Sequence, residues 1–171
     1  MTKDSHAELV VRTFVPADAL RVRELFADGI MEFALVVEDE ARRYVDHSLS
    51  DDLANIPAHY LGRLRDHFWV VETEAGVMGM IGVQERSEDE AELRRMSVSS
   101  AARRQGIGRK LLATVDEFCR GKGYRRISLS TVTMLQPAMA MYANNGYWLV
   151  GEEAWGGVGV RYFEKELASL A

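Results

Sequence analysis

The segment Val98-Ser99-Ser100-Ala101-Ala102-Arg103-Arg104-Gln105-Gly106-Ile107-Gly108-Arg109-Lys110-Leu111-Leu112 constrains this chain more than any other. An apolar run ends at Val98, a short polar loop follows, and two glycines one residue apart open an amphipathic stretch. Ile107, Leu111, Leu112, Val115, Phe118 and Cys119 form its apolar stripe as far as Arg120, with Gly121 and Gly123 as the stop. A strand therefore turns almost directly into a helix. The first N–H groups of a helix lack intrahelical partners and carry the positive end of its dipole, and glycine lets a ligand approach the backbone. With Arg103, Arg104, Arg109 and Lys110 around it, the turn is predicted to hold a pyrophosphate. A P-loop is excluded, because Gly-x-x-x-x-Gly-Lys-Ser/Thr is absent. A dinucleotide fingerprint fails at its third glycine, which is Leu111 here. The plainer alternative is a glycine-rich helix start with ordinary surface arginines.

The rest of the chain supplies the frame. Leu9 to Val15 reads as a strand, and Pro16-Ala17-Asp18 opens a helix on which Val22, Leu25, Phe26, Gly29 and Phe33 recur at helical spacing. From Glu38 to His67 the sequence is polar and helical in pieces, with Pro57 opening one of them. Phe68 to Thr73 and Val77 to Gln84 form a hairpin around Glu74-Ala75-Gly76, and Ala91 to Val98 follows as a third strand. Beyond the glycine turn come a strand at Arg126 to Val132 and a short helix at Pro137 to Asn144, closed by Asn145-Gly146. Strands at Tyr147 to Glu153 and Val160 to Glu166 finish the order β-α-α-β-β-β-α-β-α-β-β. That order predicts an α/β fold with a mixed sheet and helices on both faces. No repeat or linker divides it, so residues 1–171 read as a single domain.

Charge and cysteine usage narrow the setting. The net charge of −5 argues against a surface that coats nucleic acid, yet ten arginines and lysines lie between Arg94 and Arg126. A basic middle in an acidic chain suits a local anion. Cys119 is the only cysteine, which forbids an intrachain disulfide and fits a reducing compartment. The longest apolar run, Gly76 to Val83, falls far short of the roughly 18 residues a membrane helix needs. The start of the chain, with Asp4, His6 and Glu8, lacks the signal-peptide form, so a cytoplasmic protein without a membrane partner is expected. His6, His47, His59 and His67 show no metal-ligand spacing, and no metal is expected.

Arg103-x-x-Gly106-x-Gly108 resembles the acetyl-CoA signature of the GNAT superfamily of N-acetyltransferases. Leu135-Gln136-Pro137-Ala138-Met139-Ala140-Met141-Tyr142, followed by Gly146-Tyr147, is similar to that superfamily's second helix motif. Three finer features resemble its camello-like branch. They are Met96-Ser97-Val98-Ser99-Ser100 before Arg103, Gln136 in place of the usual asparagine, and His59-Tyr60-Leu61 ahead of Phe68-Trp69-Val70. Membrane-bound members of that branch carry a long apolar segment before the Phe-Trp-Val strand. Here Glu38 to His67 is polar, so membrane attachment is not carried over.

The resemblance implies a mostly antiparallel seven-stranded sheet, splayed at its central parallel strands, and acetyl-CoA as cosubstrate. The pyrophosphate would lie on backbone N–H groups from about Gln105 to Lys110, a stretch holding Gly106, Ile107, Gly108 and Arg109, beside Arg103 and Arg104. Gln136 would belong to the same binding surface. The pantetheine arm would add to Met96 and Val98 like a further strand, and an N–H near Val98 would face the thioester oxygen. Tyr142 matches the tyrosine placed beside the departing sulfur. Glu92, six residues before Val98, matches the strand glutamate that acts as base in protein-acetylating members, often through water. A core role for Tyr142, and pairing of Glu92 with Arg94 or Arg86, are the bland alternatives, and Glu152 and Glu153, near the last hairpin, are weaker candidates for the base. Homodimers are found in the superfamily.

Three readings follow. The leading one is acetyl transfer to the primary amine of a small molecule. Modification of a protein lysine or N-terminal amine is second, and a non-catalytic CoA-binding regulator is third.

Overall fold

The computed structural model describes residues 8–169; the expectations around Asp4 and His6 lie outside them. Seven strands form one sheet: β1 (Val10–Thr13), β2 (His67–Thr73), β3 (Gly76–Glu85), β4 (Glu90–Val98), β5 (Arg126–Val132), β6 (Trp148–Trp155) and β7 (Val158–Glu166). Their spatial order is β1-β2-β3-β4-β5-β7-β6, antiparallel throughout except where β4 meets β5. Four helices accompany them: α1 (Ala19–Met31), α2 (Glu38–Ser50), α3 (Ile107–Gly121) and α4 (Gln136–Asn144). The polar stretch after α2 makes two short turns, Asp52–Ala54 and Pro57–Leu61, as its composition suggested.

Strand alternation divides the core in two. Trp69, Val71, Ile81, Val83, Ala91 and Leu93 pack under α3, joined by Met139 and Tyr142 of α4. Phe68, Val70 and Met80 pack under α1 and the Tyr60 turn on the other face. Ile107, Leu111, Leu112, Val115 and Cys119 are buried as the stripe predicts, and burial pushes the Cys119 thiol up to about 12, which leaves it an inert core group. The ends of β6 differ from expectation, because pairing with β7 continues to Trp155 opposite Val158 and turns through Gly156-Gly157.

Two features of β4 open the sheet. It pairs with β5 only over Glu90 to Glu92, whereas β5 stays paired with β7 as far as Val132. Its register on β3 slips between Met80 and Gly82, and Arg95 adopts φ +55 there. A left-handed non-glycine residue is strained by about 1–2 kcal/mol and needs support from its surroundings. The slip sends Arg94 and Arg95 to the same face, where Arg94 meets Gln84 and Arg95 meets Asp52. Beyond it, Met96 and Val98 pack on the α3 side. A regular strand would have put Arg95 on that side and Met96 opposite.

Candidate active site

The gap between the parting strands is lined on both sides. One cleft, about 1030 Å³, runs from Met96, Ser97 and Val98 to the start of α3, with Gly106, Gly108 and Arg109 on its floor. Arg103 and Arg104 line it too, with Phe33 of the turn after α1 and Met141 of α4. A second cleft, about 390 Å³, lies between Leu93 to Met96 of β4 and Ser130 to Val132 of β5. Tyr44 of α2, Met134 and Trp155 complete it. Tyr142 lines both clefts.

The glycines of the turn serve different purposes. Gly106 sits at φ +79 as the residue before α3, and a side chain there would point into open space. Its role is conformational, since only glycine takes this backbone freely. Gly108 is a packing residue: a Cβ would lie 2.5 Å from the Met141 sulfur and 3.4 Å from Met96. Sequence reasoning gave both glycines the task of close approach to an anion. At Gly108 the close neighbour is α4 instead.

Fewer of the expected residues line the donor cleft at the turn. The Lys110 amide already donates to the Gly106 carbonyl at 3.0 Å, and its ammonium to the Leu9 carbonyl at 2.5 Å. Lys110 does not line the cleft, and the helix-start amides from Gly106 to Arg109 are the ones without an intrahelical partner. Gln105 is exposed on the turn and does not line the cleft. Gln136 is likewise turned away, its side-chain amide donating to the Thr133 carbonyl at 2.8 Å. Ile107 has its side chain in the core, so only its backbone faces a ligand. The remaining groups fit coenzyme A: helix-start amides, two arginines, and a β4 edge beyond Glu92 that has no strand partner among the described residues.

Tyr142 is almost wholly buried, its ring edge-on to Tyr147 at 5.7 Å. Its hydroxyl makes no hydrogen bond within the described residues. Burial pushes the phenol well above its ordinary value, so it keeps its proton at neutral pH. Glu92 stands opposite Gln84, at the last position paired with β5, and lines neither cleft. It forms no ion pair with Arg94 or Arg86 among the described residues, and Arg86 pairs with Glu90 instead. Glu152 pairs with Arg161 at 2.8 Å, and Glu153 accepts from Trp155 and Tyr162.

The second cleft holds groups that the sequence reading did not single out. Arg94 donates to Gln84 Oε1 at 2.8 Å, while Gln84 is held in turn by the His59 carbonyl at 2.9 Å. Arg43 pairs with Glu40 at 3.6 Å, and Tyr44 accepts from Arg95 at 3.1 Å. The available signal was Arg94-Arg95, two adjacent charges that break the alternation of the strand. Trp155 of β6 is 61% exposed and lines this cleft. Among the described residues no cluster of three or more His, Cys, Asp or Glu could hold a metal, and no helix is long and apolar enough to cross a membrane.

One cleft suited to an extended anionic donor, meeting a smaller one at a buried tyrosine, is the layout of a group-transfer enzyme. Comparison with known proteins gives the class its name. Residues 33–147 match the Acetyltransferase (GNAT) family, and the chain belongs to that family. Human N-acetyltransferase 8 is 37% identical over 114 residues, covering 64% of this chain and 50% of that protein. Zebrafish (Danio rerio) N-acetylaspartate synthetase is 36% identical over 110 residues, covering 64% and 39%. The chain thus spans half or less of these relatives' length. The camello-like resemblance of the sequence motifs agrees with the first of them. The N-acetyltransferase PaiA of Thermoplasma acidophilum, solved with coenzyme A, shares the fold at a TM-score of 0.79 with 17% identity, over 93% of this chain and 99% of that one. A GNAT acetyltransferase of Staphylococcus aureus also superimposes at 0.79, with 21% identity over 94% and 100%.

Proposed function

We propose that the protein moves an acetyl group from acetyl-CoA to the primary amine of a small molecule that also carries a carboxylate. The carrying observation is the meeting of the two clefts at Tyr142, between strands that part after Glu92. The helix-start amides from Gly106 to Arg109, with Arg103 and Arg104, hold the pyrophosphate, and the β4 edge at Met96 and Val98 receives the pantetheine. Acetyl-CoA supplies the activated acyl group. The amine attacks directly, with both substrates bound. An N–H near Val98 faces the oxygen on which charge develops. Tyr142, protonated because it is buried, donates to the departing sulfur. Glu92 takes the amine proton through water, since it lies short of the cleft wall.

Two facts support a small, anionic acceptor. The acceptor cleft, about 390 Å³, lies within the size of small-molecule sites. Arg94 is half-buried on its wall, fixed by Gln84, and has no carboxylate partner among the described residues. The relative called N-acetylaspartate synthetase is named for an N-acetylated amino acid, in keeping with such an acceptor. The setting we propose remains cytoplasmic.

The test is thiol release from acetyl-CoA on a panel of amino acids, each paired with the same amine lacking its carboxylate. Turnover should favour the amino acids, and Arg94→Gln should raise KM for them by about tenfold while leaving the decarboxylated amines unaffected. Equal use of both members of every pair would remove the carboxylate. No thiol release on any amine would favour a CoA-binding regulator.

A further inference from the structure

A deeply buried ion pair with many hydrogen bonds lies beside the site. Arg95 and Asp52 have side chains only 6% and 1% exposed. Arg95 donates from Nε and Nη2 to both Asp52 oxygens, at 3.0 and 2.6 Å, and from Nη1 to Ser48 at 2.9 Å and Tyr44 at 3.1 Å. The Tyr60 hydroxyl also donates to Asp52, and the Phe26 ring lies 5.1 Å from the guanidinium. The anchors come from α1, α2 and both short turns after α2.

This arrangement is hard to explain as a device for stability. A buried ion pair gains little over well-packed apolar residues of similar volume. An apolar side chain at position 95, however, would not hold φ +55. A left-handed residue persists only where its surroundings over-determine it. A planar guanidinium, gripped from several elements, does that.

We propose that Arg95, anchored by Asp52, is a positioning residue of the reaction. Its buried guanidinium fixes the left-handed kink that turns Met96 to Val98 toward the donor cleft. Through Tyr44 the same guanidinium sets the α2 wall of the acceptor cleft against that kink. The inference rests on the acetyl-transfer reading above, and adds to it a group that touches neither substrate.

Arg95→Gly separates this role from simple tolerance of the backbone, because glycine adopts φ +55 unaided and retains nothing of the grip. Three variants, Arg95→Gly, Arg95→Lys and Asp52→Asn, are compared with wild type well below their melting temperatures. Two quantities are measured: steady-state thiol release, and amide hydrogen exchange of residues 94–98 in ligand-free protein. Arg95→Gly should remain folded and lose about 10²-fold in kcat, the scale of a misplaced reacting geometry, with KM for acetyl-CoA changed by less than about threefold. Exchange at residues 96–98 should rise at least about tenfold, and Arg95→Lys should recover part of both losses. A folded Arg95→Gly protein with wild-type kcat and wild-type exchange would overturn the proposal. If wild type itself transfers to no amine, the transfer reading fails, and the exchange data still decide whether Arg95 holds the kink.

Discussion

Arg103 of the glycine turn and Glu32 at the end of α1 form a two-bond ion pair, at 2.7 and 2.5 Å, beside the donor cleft. Arg103 also lies 5.5 Å from the Phe33 ring, which lines the same cleft. The arginine expected to meet the pyrophosphate is thus already held by a carboxylate, with which a bound anion would compete. Both side chains are over a third exposed, so the pair is worth no more than about 1 kcal/mol. Glu32→Gln should therefore tighten coenzyme A binding by up to about fivefold, most visibly at low salt. Calorimetry at two salt concentrations checks this, and weaker binding in the variant would mean that the pair serves the bound state.

Gly108→Val should weaken coenzyme A binding through Met141. The new side chain must displace the Met141 sulfur, which lines the donor cleft, and the flexible end of methionine can move without unfolding the protein. A loss of about tenfold in affinity is expected, with a melting temperature close to wild type. Unchanged affinity in a folded variant would remove Gly108 from the site.

The sheet was legible in the sequence because strand alternation, hairpin glycines and the α3 stripe each act over a few neighbouring residues. Gly106-x-Gly108 located the donor cleft for the same reason. The use of each residue in that turn was less legible. Lys110 and Gln136 look like ligand groups, yet the Leu9 and Thr133 carbonyls hold them away from the cleft. Leu9 lies just before β1, far off in sequence, and no local pattern announces it. The acceptor cleft was hidden for the same cause: Tyr44, Arg94 and Trp155 meet only after the sheet splays. Asp52 is one of several acids in a polar stretch, and only the fold reveals its burial against Arg95.

Asp52 also gives the fold a pH dependence. Burial pushes its carboxyl up, but hydrogen bonds from Arg95 and Tyr60 outweigh burial and hold it below its ordinary value. A depressed carboxyl stabilises the fold above its unfolded value of about 3.9, and that contribution drains away as acid protonates it. Asp52→Asn should cost about 3 kcal/mol near neutral pH, as expected when one partner of a buried pair is removed. The gap from wild type should shrink below about pH 4. Denaturant melts across this range test the sign, and a gap that widens in acid would contradict it.

The most direct measurement is steady-state thiol release by Tyr142→Phe beside wild type, with acetyl-CoA affinity taken by calorimetry on both. The substitution removes one hydroxyl at the junction of the two clefts and leaves the ring packed on Tyr147 and Phe163. If Tyr142 protonates the departing sulfur, affinity should stay within about twofold while turnover falls by roughly 10²–10⁴, the range for losing a positioned acid. A Tyr142→Phe protein with near-normal turnover would show that the phenol only fills space, and that the proton reaches the sulfur another way.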